Sequence, residues 1–263
     1  MKICIPSKGR AHAIKTHLFF NPVDVLIFVE PTEIAAYRVI SQEYTFIDIK
    51  ESNQGISYAR NFILDYMKDE NFVMMDDDIN YFSERNETGH YTKLFSAAKI
   101  LRAVEEGLNI ENCAIYSLVS IEENTFAYAM NMSLGAERNV VNHSQIIACY
   151  GFNMQLVNTL QLRFDENISE GEDADFLIRT ILSGADSIMD YNFAFSHDIR
   201  TPGGLSFKRN AFQTHQDCAQ ESFNSLTKKH GTDIISISRD SYGDFKSMKI
   251  NFAKLIKIHN SIQ

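Results

Sequence analysis

Phe72-Val73-Met74-Met75-Asp76-Asp77-Asp78-Ile79 sets an apolar run directly against three acids. Phe72 to Met75 reads as a short buried strand. Three adjacent carboxylates repel one another. They are tolerable when solvated or when a divalent cation neutralises them. Hard carboxylate oxygens suit Mg2+ or Mn2+, ions that also bind diphosphate oxygens. Alternate residues of an extended segment share a face, so Asp76 and Asp78 are expected to point into one site. A solvated acidic turn would carry the same letters, so the surroundings decide.

Upstream, strand-like and helix-like segments alternate. Lys2 to Ile5 reads as a strand that stops at Pro6, and Val23 to Val29 (VDVLIFV) as a buried one. Thr32 can cap a short helix through Ile40, and Tyr44 to Ile49 is the third strand. Asn53-Gln54-Gly55 is a turn signal, followed by apolar residues at Ile56, Ala59, Ile63, Leu64 and Met67, near helical period. This order predicts an α/β fold with a Rossmann-like, largely parallel central sheet and helices on both faces. Ligands of such sheets bind outside the carboxyl ends of the strands. The Pro6–Arg10 loop, Glu30 and the aspartate triplet all fall there.

The second half is less regular, and mixed strands are expected. Leu94 to Leu108 reads as an amphipathic helix. Ala114 to Ser120, Phe126 to Leu134, Gln145 to Val157 and Ile188 to Phe195 read as strands. Arg163 to Gly171 is a polar loop. Glu172 to Leu182 is a helix with acids in its first turn, where the dipole favours them. Phe212 to Lys229 is a late helix. Without a repeat or linker, residues 1–263 are expected to form one domain, with a nucleotide-binding half over 1–80 and a catalytic, acceptor-binding half over 81–263.

With 44% hydrophobic residues the chain can bury a sizeable core, and only 4 prolines argue against long disordered stretches. Cys4, Cys113, Cys149 and Cys218 are far apart and form no CxxC pair. That argues against a zinc site or a disulfide framework and fits reduced thiols in a cytosol. No signal peptide and no apolar stretch of membrane-spanning length is visible, so a cytoplasmic enzyme is expected, with no membrane and no obligate protein partner. The formal net charge of -9 argues mildly against a protein that coats nucleic acid, but not against an enzyme with one basic groove.

Three further motifs can carry chemistry. Gly171-Glu172-Asp173-Ala174-Asp175-Phe176 opens a helix, and a carboxylate there can deprotonate an acceptor hydroxyl. Ser196-His197-Asp198 closes a strand, and a neutral imidazole is a frequent metal ligand. Thr201-Pro202-Gly203-Gly204 follows, with paired glycines that let backbone N–H groups approach phosphates. Arg60 lies just beyond the Gly55 turn, where it could neutralise a diphosphate or sit as an ordinary surface arginine.

Taken in order, these features resemble the GT-A glycosyltransferases. The resemblance implies that Asp76 and Asp78 bind a divalent cation, Mn2+ or Mg2+, on the diphosphate of a nucleotide-sugar. His197 would be the third protein ligand of the metal. Asp173 would be the base of an inverting reaction, with Glu172 second. Pro6, Ser7, Arg10, Glu30, Gly55, Arg60, Asp76, Asp77, Gly203 and Gly204 would line the nucleotide-sugar site. More narrowly, Ile5-Pro6-Ser7-Lys8-Gly9-Arg10-Ala11, Val29-Glu30-Pro31, Asn53 to Asn61 (NQGISYARN) and Met75-Asp76-Asp77-Asp78-Ile79 look like the TET-associated and phage DNA-modifying glycosyltransferases. That family implies a UDP-sugar donor and a DNA acceptor, the hydroxyl of 5-hydroxymethylcytosine, in the host cytoplasm. A basic rim for DNA has candidates in Lys93, Arg102, Arg138, Arg163, Arg200, Lys208 and Arg209. A glycan or protein acceptor would share every donor-side motif. A nucleotidyltransferase would also pair aspartates with Mg2+, but Ser7-Lys8-Gly9-Arg10 is only a faint phosphate loop. A carbohydrate- or metal-binding module without activity is the remaining class.

Overall fold

The computed structural model describes residues 1–40, 42–94, 96–121, 140–142, 146–168, 171–197, 215–239 and 245–262. Its frame is a mixed sheet. Strands β1 (Lys2–Ser7), β2 (Val25–Val29), β3 (Thr45–Asp48) and β4 (Phe72–Met75) are mutually parallel, in the spatial order β3-β2-β1-β4. The sheet continues through β9 (Cys149–Phe152), β7 (Cys113–Ser120), β10 (Asp186–His197), β5 (Ile79–Arg85) and β6 (Tyr91–Lys93). A tenth strand, β8 (Val140–Asn142), pairs with β10. β9 runs antiparallel to both β4 and β7, and β7 is parallel to β10. β10 therefore points the same way as β1, β2 and β4, and all four end at one edge of the sheet.

Alternation along these strands builds two cores. Ile3, Ile5, Val73 and Met75 face one side. Cys4, Phe72 and Met74 face the other. The first side is covered by Tyr37 of α1 (Ile34–Ile40) and by Ile100 and Val104 of α3 (Ala98–Gly107). The second takes Ile63 and Leu64 of α2 (Ile56–Tyr66), Val157 of α4 (Met154–Thr159), Phe176 and Leu177 of α5 (Glu172–Leu182), Leu226 of α6 (His215–His230) and Leu255 of α7 (Phe252–Ile262). A strand on a sheet covered on both faces has no polar side, which is why β2 and β4 are buried at every position.

The strand expected over Gln145 to Val157 is shorter. Among the described residues of that stretch only Cys149–Phe152 is a strand, and Asn153 then caps α4 by accepting the Leu156 N–H at 3.3 Å. Strands β5, β6, β11 (Ile235–Arg239) and β12 (Phe245–Ile250) were not anticipated, and neither was α7. β11 and β12 form a separate antiparallel pair. Residues 126–134, expected as a strand, lie outside the described residues. Among the described residues no helix is long and apolar enough to cross a membrane.

Candidate active site

The aspartate triplet leaves β4 at the shared strand-end edge. It is a turn rather than the extended segment expected, because the chain must reverse there to enter β5. The three carboxylates consequently point into different surroundings. Asp76 is the most open, with 35% of its side chain exposed. Asp77 is buried beneath the β1 loop, where it accepts from the Ser7 hydroxyl and from Arg10 Nη1 at 2.5 Å. Asp78 is buried and accepts from Arg10 Nη1 at 3.0 Å through Oδ2, while its Oδ1 has no partner among the described residues. The backbone is fixed as firmly. Thr16 Oγ1 donates to the Asp76 carbonyl and accepts the Ile79 N–H, and the Lys15 N–H donates to the Asp77 carbonyl.

The loop after β1 closes over this turn. The Tyr37 hydroxyl bonds Ser7 Oγ at 2.7 Å and accepts the Arg10 N–H. Burial pushes the Tyr37 phenol up to about 12, so it stays a neutral donor. Lys8 reaches Glu30 at 2.7 Å and Asn53 at 2.8 Å, and Glu30 also accepts the Asn53 N–H. The ends of β1 and β2 and the turn before α2 thus share one polar cluster. Gly55 opens α2 at φ 102°, a left-handed conformation that favours glycine.

Asp173 and Glu172 arrive from α5. Gly171 precedes them at φ +84°, and a Cβ there would stand 2.5 Å from Ser222 Oγ of α6. Glu172 is buried and takes a 2.6 Å bond from Arg60 Nη1, while Arg60 Nη2 lies 3.5 Å from Asp76. Burial works against the Arg60 charge, but Tyr150, Glu172, Asp76 and Asp173 together hold its pKa above the usual arginine value. Arg60 is therefore not the surface arginine its helix position allowed. Asp173 is half-buried, and its Oδ1 accepts its neighbour's N–H.

His197 ends β10 opposite Ile79, next to the triplet, with its Nε2 3.5 Å from Ser120 Oγ. Asp78 registers this crowding. Burial, then the charges of Asp76 and Asp77, push it up to about 6 against the opposing pull of Arg10 and His197. Excess carboxylate charge beside a buried, unpartnered oxygen is chemistry that fits a divalent cation. Among the described residues no three acidic, histidine or cysteine side chains form a ready-made cation cage. Mg2+-type sites take only one or two protein carboxylates and fill the shell with water and substrate phosphate.

The structure thus gathers Pro6, Ser7, Arg10, Glu30, Gly55, Arg60, Asp76, Asp77, Asp78, Glu172, Asp173 and His197 around one edge. Gly203 and Gly204 lie outside the described residues, as do Arg138, Arg200, Lys208 and Arg209. Arg102 and Arg163 are ion-paired with Glu106 and Asp65, and Lys93 lies over the Tyr81 ring. Sequence reasoning missed Tyr37 and Tyr150, which carry no motif. It left Lys8 and Asn53 unassigned although both sit inside quoted motifs.

Solved structures share this architecture, among them two complexes of one enzyme. Glucosyl-3-phosphoglycerate synthase from Mycobacterium tuberculosis, in complex with Mg2+ and UDP, superposes with a TM-score of 0.54 at 12% identity, over 95% of this chain and 86% of that one. Its complex with Mn2+, UDP and phosphoglyceric acid gives 0.55 at 12% identity, over 95% and 85%. At that identity the likeness establishes the fold, which is GT-A. No curated protein sequence matches significantly. The family model described as TET-Associated Glycosyltransferase matches residues 1–201. A match over that much of the chain, on a GT-A frame with its acids at the strand ends, means that this protein belongs to the TET-associated glycosyltransferase family.

Proposed function

We propose that the protein transfers the sugar of a UDP-sugar to the hydroxyl of 5-hydroxymethylcytosine in phage DNA, a reaction of the host cytoplasm. The observation that carries the donor half is the buried, unpartnered Asp78 Oδ1 among three carboxylates at the strand-end edge. UDP and a divalent cation in the similar synthase structures support it. The acceptor half is supported by the family match.

In this reading Asp76, Asp78 and His197 supply the protein ligands that would hold Mn2+ or Mg2+, with diphosphate oxygens and water completing a shell that these side chains do not form by themselves, and the ion would supply Lewis-acid neutralisation of the leaving diphosphate. Glu30, Lys8 and Asn53 form the wall beside the nucleoside. Ser7 and Arg10, held by Tyr37 and Asp77, shape the loop beside the diphosphate. Asp173 accepts the proton of the acceptor hydroxyl as its oxygen attacks the anomeric carbon. The bond from that carbon to the diphosphate breaks, and UDP leaves with the electron pair. Glu172 is buried against Arg60, and the half-buried Asp173 beside it is the base in this reading. A duplex acceptor base would first be flipped out, at a cost of a few kcal/mol.

The test is UDP release with a panel of UDP-sugars, Mn2+, and DNA carrying either cytosine or 5-hydroxymethylcytosine. Release that requires the hydroxymethylated DNA is expected. Metal-dependent release that ignores the DNA would move the acceptor to a glycan or protein. No release with any donor would refute the reading.

A further inference from the structure

Arg60 and Glu172 are 112 residues apart in sequence and joined by a buried ion pair of 2.6 Å. The same guanidinium reaches Asp76 at 3.5 Å. It is only 5% exposed, and its Nε is buried without a hydrogen-bond partner among the described residues. Two rings close over it, Tyr150 with its centroid at 5.7 Å and Phe164 at 5.3 Å. The next residue fastens that lid. Asn61 Nδ2 donates to the Phe164 carbonyl at 2.9 Å, and Asn61 Oδ1 accepts the Phe164 N–H at 2.8 Å.

A side chain so enclosed is poorly placed to grip a diphosphate. It is well placed to set a distance. A guanidinium is a rigid planar fork, and aromatic faces above it fix its plane. We infer that Arg60 is a positioning residue that sets the separation between Asp76 at the end of β4 and the Glu172–Asp173 start of α5. In the sugar-transfer reading, on which only the kinetic consequence rests, this aligns the donor-side carboxylate with the base. A lysine is a point charge on a flexible stem and can satisfy one carboxylate but not span both.

The test compares wild type with Arg60→Lys and Arg60→Met, and places Asp76→Asn and Glu172→Gln in a double-mutant cycle. For R60K, misplacement of about an ångström predicts a kcat loss on the order of a hundredfold with the UDP-sugar KM changed less than about threefold. Calorimetric Mn2+ binding should weaken by roughly threefold or more, a shift of about 0.65 kcal/mol. In urea unfolding, D76N and E172Q should be non-additive in the Arg60 background and additive in the R60K background. Should R60M fail to fold, R60K and the cycle decide. A wild-type-like kcat for R60K with a raised donor KM would overturn the inference and make Arg60 a donor ligand. Additivity of D76N and E172Q in the Arg60 background would overturn it too. A wild type that transfers no sugar would sink the transfer reading alone, since the unfolding cycle still reads the coupling.

Discussion

Asp77 separates two views of the aspartate triplet. If all three carboxylates served the ligand, replacing Asp77 would weaken metal or nucleotide contacts directly. In the structure it instead holds the loop from β1, through Ser7 Oγ and Arg10 Nη1. Hydrogen bonds to a charged group contribute about 1.5–3 kcal/mol each, so Asp77→Ala removes roughly 3–6 kcal/mol of gross interaction. Burial offsets part of it. The Asp77 pKa is raised, foremost by desolvation, against the pull of Arg10 and Ser7. Arg10 also keeps Asp78 as a second partner. The net loss should be about 2–4 kcal/mol for Asp77→Ala, which strands Ser7 Oγ and Arg10, and well under half of that for Asp77→Asn, which retains one acceptor and removes a charge that burial opposes. At about 2–4 °C per kcal/mol, Tm should fall by roughly 4–16 °C for alanine. The loosened loop should raise the UDP-sugar KM about tenfold, or about 1.4 kcal/mol. Mn2+ affinity should stay within about twofold of wild type. Thermal unfolding alongside calorimetric titration of Mn2+ reads both. An Asp77→Asn protein with unchanged Tm and tenfold weaker Mn2+ binding would refute the clamp and return Asp77 to the ligand sphere.

Asp78→Asn should abolish turnover with Tm unchanged or higher, because it removes a charge that burial and two neighbouring carboxylates already oppose; near-wild-type turnover would remove Asp78 from the metal site. Asp175 is buried against Arg179, Lys229 and His230, and these partners outweigh its burial and lower its pKa to about 2. Its contribution is complete above the unfolded value of about 3.9 and fades as pH falls toward 2, a loss of roughly 2–3 kcal/mol. Urea midpoints across that window should show an acid limb that Asp175→Asn flattens, and an identical limb in the variant would contradict the assignment. Gly171→Ala should cost about 1–3 kcal/mol from its positive φ and the Ser222 contact, and should lower kcat more than donor KM because α5 carries Asp173. An unchanged kcat would show that the start of α5 tolerates displacement.

Strands with two buried faces announce themselves. β2 and β4 are uninterrupted apolar runs, and α5 opens after Gly171 with three acids in its first turn, so its start is legible. β5 was not, because its residues Ile79 to Arg85 (INYFSER) bury irregularly between β10 and β6 and show no clean period of two. α4 hides within the apolar stretch after β9, where a buried helix and a buried strand look alike in composition. Only the Asn153 cap marks the boundary.

The site divides along the same line. Position was legible: a parallel sheet sends its strand ends to one edge, so acids just past apolar runs had to meet there. Orientation was not. Whether Asp76, Asp77 or Asp78 faces solvent depends on the turn into β5, and that turn is fixed by Thr16, some sixty residues earlier. The role of Arg60 depends on Glu172, Tyr150 and Phe164, three residues that share no local pattern with it. A motif records which groups reach the edge. The charge of each group is then set by what buries it, and burial is a property of elements far apart in the chain. Asp78 and Asp175 show the difference: both are buried aspartates near a motif. One is pushed up to about 6 by burial and like charges, and the other is drawn down to about 2, against its burial, by His230, Lys229 and Arg179. The first is built to receive a positive charge, and the second already has its own.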